Sequence, residues 1–182
     1  MKNHDMSYKI DTETLRAYPN NKDEMLLGIS LLEEELKNIS SEEELAKKLS
    51  MLSYYQKLVE NYSSSELNQL KAISLFESLN DSKGLFVAKL RVAQLKQFKK
   101  EYIESTKLFD ELEVELEDNT FLEPYRDFLY QHVAKNEFEK KNYNIALEYF
   151  YKALEIRIKK NDKELIDSTQ LGIRESLRLS EK

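Results

Sequence analysis

The sequence predicts an all-α fold, a solenoid of antiparallel helical hairpins, and three observations carry that prediction. Only three Gly and two Pro occur in 182 residues, which leaves little material for the turns of a β-sandwich or barrel. Apolar residues recur at helical spacing through most of the chain. A small residue four positions ahead of an aromatic recurs as Ala72 with Phe76, Ser105 with Phe109, and Ala146 with Phe150. The offsets, 105 − 72 = 33 and 146 − 105 = 41 residues, suit a helical repeat.

Residues 1–20 read as a polar segment with at most a short helix around Thr12 to Tyr18, and residues 21–182 as a single helical-repeat domain. A helix opens at Asn20 to Asp23, carries Met25, Leu26, Ile29, Leu32 and Leu36 on one face, and ends at Asn38 to Ser40. Ser41 with Glu44 makes a capping box, each side chain satisfying an orphan backbone N–H, and a long helix follows to about Tyr62. Ser63, Ser64 and Ser65 read as the next break, since their hydroxyls compete for backbone hydrogen bonds. The helix after them runs to Leu79, and Asn80 to Gly84 form a turn. Helices are then expected over Leu85 to Lys99 and Tyr102 to about Glu117. The second includes ELEVELE, which alternates like a strand but continues a helical face set by Ile103, Leu108, Phe109 and Leu112. Asp118 to Thr120 break the chain, and Pro124 fits the first turn of a helix reaching about Lys140. Lys141 with Asn142, and Asn161 with Asp162, introduce two last helices, ending near Leu179. Connections of two to five residues make neighbouring helices antiparallel.

The repeated residue types have a packing reason. A small side chain lets two helix backbones approach, and an aromatic one turn later fills the wedge that opens as they diverge. Ala93 and Ala134 are the matching small residues on the facing helices. With Tyr102 and Tyr143 three residues ahead of the small one, and Ala153 after Phe150, the chain resembles the tetratricopeptide repeat family, in a divergent, long-repeat form. The opening tryptophan and glycine of that family's pattern are missing, and no proline closes a repeat. The longer spacing also looks like that of bacterial Rap-type and PlcR-like peptide-sensing regulators, although no helix-turn-helix precedes the repeats.

The resemblance implies a right-handed superhelix of helical hairpins that binds a peptide or protein in a concave groove lined by the first helix of each pair. Matching helices place Lys57 and Asn61, then Arg91, Gln94, Gln97 and Phe98, then Gln131, Lys135 and Phe138 on that groove. Lys57 with Asn61 and Gln131 with Lys135 are four apart, and Arg91, Gln94 and Gln97 three apart, so each set shares one side of its helix. Such side chains could hold a carboxylate or the backbone of an extended peptide.

Composition narrows the alternatives. A formal charge of −6 argues against nucleic acid or anionic membrane as partner, and favours a basic or neutral protein. With no Cys, thiolate catalysis and disulfides are excluded, and a polar N-terminus points to a cytoplasmic protein. His4 and His132 have no companions at metal-ligand spacing, and the serines no adjacent base, so neither an enzyme nor a bound metal or cofactor is expected. The carboxylate runs Glu33 to Glu35, Glu42 to Glu44 and Asp110 to Asp118 point around their helices and read as solvated faces or an electrostatic docking surface. A non-catalytic binding module is the leading expectation, homo-oligomers being compatible with it. The alternatives are a peptide-sensing regulator without a DNA-binding domain, and an acidic immunity or inhibitor protein that masks a basic toxin or enzyme.

Overall fold

The computed structural model describes residues 4–181, and among them eight α-helices follow a small β-hairpin. The strands are β1 (Tyr8–Ile10) and β2 (Ala17–Pro19), paired antiparallel with Tyr8 opposite Pro19. The helices are α1 (Lys22–Leu36), α2 (Glu42–Leu58), α3 (Tyr62–Ser78), α4 (Ser82–Phe98), α5 (Tyr102–Asp118), α6 (Arg126–Glu139), α7 (Tyr143–Lys160) and α8 (Lys163–Ser180). A short 3-10 helix with Pro124 inside it, Thr120–Tyr125, leads into α6. Among the described residues no helix is long and apolar enough to cross a membrane.

The hairpin corrects the short helix expected around Thr12 to Tyr18. Leu15 takes a left-handed φ of 58°, which no helix accommodates, and Pro19 holds the preceding Tyr18 extended. The serine break is also corrected: Ser63, Ser64 and Ser65 lie inside α3. Asn61 supplies the cap instead, its Oδ1 accepting from the Ser64 N–H, while Ser65 is buried and donates to the Ser53 carbonyl at 2.8 Å.

The chain divides into two compact units. One holds the described residues through Asp11 together with Arg16–Lys99; the other holds Thr12–Leu15 and the residues from Lys100 on. In the first, α1 packs on α2, α2 on α3, α3 on α4, and α2 also reaches α4. Its cores gather Met25, Ile29, Leu52, Leu58 and Val59, and separately Ala46, Leu49, Ala72, Phe76 and Ala88. In the second, α5 packs on α6, α6 on α7, α7 on α8, and α6 also reaches α8. Leu15, Ala134, Phe138, Ala146, Phe150 and Ile173 form its core.

The helix junctions reveal the repeat. Glu60, Asn80, Lys100, Lys141 and Asn161 all have left-handed φ between 53° and 67°. At four of them the next residue's N–H bonds the carbonyl five back, as Asn61 to Gln56, Asp81 to Phe76, Asn142 to Glu137 and Asp162 to Arg157, the six-to-one bond of a Schellman close. That residue then precedes the next helix directly, and Asn61, Asp81 and Asp162 cap it with their side chains.

The second helices of the pairs therefore start at Tyr62, Tyr102 and Tyr143, offsets of 102 − 62 = 40 and 143 − 102 = 41 residues. This corrects the register of the first copy. The equivalents of Ser105 and Ala146 are Ser65, not Ala72, and the equivalent of Phe109 and Phe150 is Gln69, not Phe76. Ala72 and Phe76 instead correspond to Leu112 with Leu116 and to Ala153 with Arg157. All twelve side chains at these four positions are buried.

Candidate functional site

The same register aligns α2, α4 and α6 through Glu60, Lys100 and Lys141, so Tyr54, Gln94 and Lys135 are equivalent, as are Lys57, Gln97 and Phe138. Five of the nine residues placed on a groove by the resemblance are buried: Lys57, Gln94, Gln97, Gln131 and Phe138.

In the first unit the structure brings Lys57, Gln94 and Phe98 together. Lys57 Nζ donates to Gln94 Oε1 at 2.9 Å and lies 4.5 Å above the Phe98 ring and 4.8 Å above Tyr54. Arg91 joins the cluster through Tyr54, 5.7 Å away, and donates to Ser50 Oγ at 2.7 Å. Burial lowers the Arg91 pKa, but a guanidinium starts so high that it stays charged. Burial and the neighbouring Tyr8 hydroxyl push the Tyr54 phenol far up, so it stays neutral. Arg16, which sequence reasoning passed over, donates to the Gln97 and Phe98 carbonyls at 3.1 Å each, at the negative end of the α4 dipole. Asn61 stands apart from the cluster as the exposed cap of α3.

In the second unit Phe138 belongs to the core, edge-on to Tyr143 at 5.5 Å, and cannot line an open groove. Gln131 and Lys135 are different. Gln131 Oε1 lies 3.0 Å from Thr169 Oγ1, competing with the Leu165 carbonyl at 2.8 Å for that hydroxyl's single proton, while the buried Gln131 Nε2 has no hydrogen-bond partner. Half-buried Lys135 makes no hydrogen bond or ion pair among the described residues. Burial, reinforced by the charge of Arg157 and only partly offset by Glu139, lowers its pKa to about 8. Arg157 is fully enclosed. Its Nε donates to Asp127 Oδ2 at 2.9 Å and its Nη1 to Thr169 Oγ1 at 2.7 Å, and Lys160 also pairs with Asp127. The sequence hint of this network is a charge at a repeat position that holds Phe76 and Leu116 in the other copies.

On the side of α6 opposite Gln131 and Lys135, a cleft of about 270 Å³ opens between α5, α6 and α7. Phe109, Val133, Ile145 and Tyr149 supply apolar wall, and Asp110 and Glu137 carboxylates. Sequence reasoning missed it, because its walls come from three helices and no single spacing records them.

Neither a protein-family model nor a curated protein matches the chain.

Proposed function

We propose that the chain is a non-catalytic, tetratricopeptide-like interaction module that holds a peptide or protein segment on the face of its first helices, through a carboxylate of that segment. The observation that carries the reading is Lys135: a cation half-buried beside the Arg157 charge, with no hydrogen bond or ion pair among the described residues and only the weaker pull of Glu139 to offset its burial, on the same helix side as a buried amide donor that lacks an acceptor. Burying an unpaired charge lowers stability, and such residues concentrate at functional sites. A carboxylate is the ligand that balances Lys135, accepting from its Nζ. Taken by itself, the first unit carries Arg91 beside the Tyr54 ring on its equivalent helix face, a pairing that suits side chains of a bound segment.

The test is the affinity of a captured partner for variants. Lys135→Ala removes the charged donor and is expected to weaken binding about tenfold or more, as loss of a charge-assisted hydrogen bond does. Glu117→Lys, exposed on α5, should leave it within about twofold at 0.15 M salt. Equal affinity of wild type and Lys135→Ala would remove the proposal.

A further inference from the structure

We infer that the cleft between α5, α6 and α7 is a second docking site, built to receive a basic side chain of a protein partner. This goes beyond the carboxylate reading: it concerns the opposite face of α6 and the opposite charge.

The cleft has room for one long side chain. Pockets for drug-sized molecules hold about 300 to 1,000 Å³, and this one holds about 270 Å³. The walls suit the long apolar stem of Lys or Arg: Phe109 and Val133 are buried behind the cleft, Ile145 is exposed beside it, and the Tyr149 ring borders it.

Charge selects the head group. The titratable lining groups besides Tyr149 are Asp110, Glu137 and Lys140. Glu137 is already satisfied, Oε1 accepting from Lys140 at 2.6 Å and Oε2 from Asn142 at 2.7 Å. Lys140 also donates to Thr106 Oγ1 at 3.2 Å, so its charge is committed within this pair. Asp110 makes no hydrogen bond or ion pair among the described residues. Next to it on α5, Glu113 accepts at 3.0 Å from the Tyr149 hydroxyl, and burial together with that carboxylate keeps the phenol protonated. The balance left facing a ligand is anionic. An acidic ligand would be repelled, and a purely aliphatic one would desolvate Asp110 without replacing its water. An ammonium or guanidinium satisfies Asp110 while its stem covers the apolar wall.

The experiment titrates the full-length protein with N-acetyl-arginine amide and, separately, N-acetyl-glutamate amide, following the Ile145 methyl and Tyr149 ring signals by NMR. The inference predicts saturable shifts with the arginine probe and none with the glutamate probe. It also predicts at least threefold weaker binding of the arginine probe to Asp110→Asn, with Glu117→Gln unchanged. Asp110 is exposed, so this nearly isosteric change should not disturb folding. Absent or non-saturating shifts, equal response to both probes, or an unaltered Asp110→Asn variant would each overturn it. Because Ile145 and Tyr149 report on the cleft while Lys135 lies on the opposite side of α6, failure here leaves the carboxylate reading standing, and loss of that reading leaves this one intact.

Discussion

Burial of the Lys135 charge makes stability depend on pH. The side chain's pKa is about 8 in the folded chain against an ordinary 10.5, so between those values the unfolded chain binds more protons and stability rises with pH. The full cost is present below about pH 8. Lys135→Met should therefore raise the melting temperature at pH 7, by a free energy of up to about 3 kcal/mol, and flatten the stability profile between pH 8 and 10.5. Thermal unfolding across that range is the check, and a variant less stable at pH 7 would contradict the burial argument. Gly172 answers a different constraint. A Cβ there would fall 2.5 Å from Phe150 Cζ, and Phe150 is enclosed and cannot retreat. Gly172→Ala gains about 1 kcal/mol of helix propensity but overpacks the crossing, and a net loss of about 1 to 2 kcal/mol in chemical denaturation is expected. The spacing of Gln131 and Lys135 was legible in the sequence. The unmet donor on Gln131 was not, because it depends on Thr169, 38 residues away.

At the level of helices, local pattern served well where core and cap agreed. ELEVELE folds as helix and splits its apolar residues accordingly: Leu112 and Leu116, four apart, share the buried face, and Val114 between them is 59% exposed. Pattern misled where a cap competed with a more conspicuous motif. Three adjacent serines outweighed the lone Asn61, and the first repeat copy was then read seven residues late, since Gln69 occupies the place of an aromatic. The junctions offer a direct test. Lys141 takes a φ of 67°, a conformation that Gly adopts without penalty. Its side chain is exposed, so Lys141→Gly should stabilise by about 0.5 to 1 kcal/mol, measured by urea unfolding. Destabilisation would show that the lysine side chain does more than mark the turn.

Across the whole molecule, the eight helices pack each on the next within their own unit in a repeat-like order, and the proposed docking rests on the charge they leave at the surface. With a formal charge of −6, docking of a basic partner would be favoured at long range and would weaken with salt over a screening length of about 10 Å at 0.1 M. The carboxylate reading at Lys135 depends on a half-buried contact, which salt screens much less. The two docking modes should therefore separate in a salt series, steep for the acidic surface and shallow for the first-helix face. The most direct measurement is the pKa of Lys135 itself, followed through its ¹³Cε shift in the free protein and in complex with a captured partner. A partner carboxylate on Lys135 should raise the value from about 8 to 10 or above. A value unchanged or lowered on binding would contradict a carboxylate at this site.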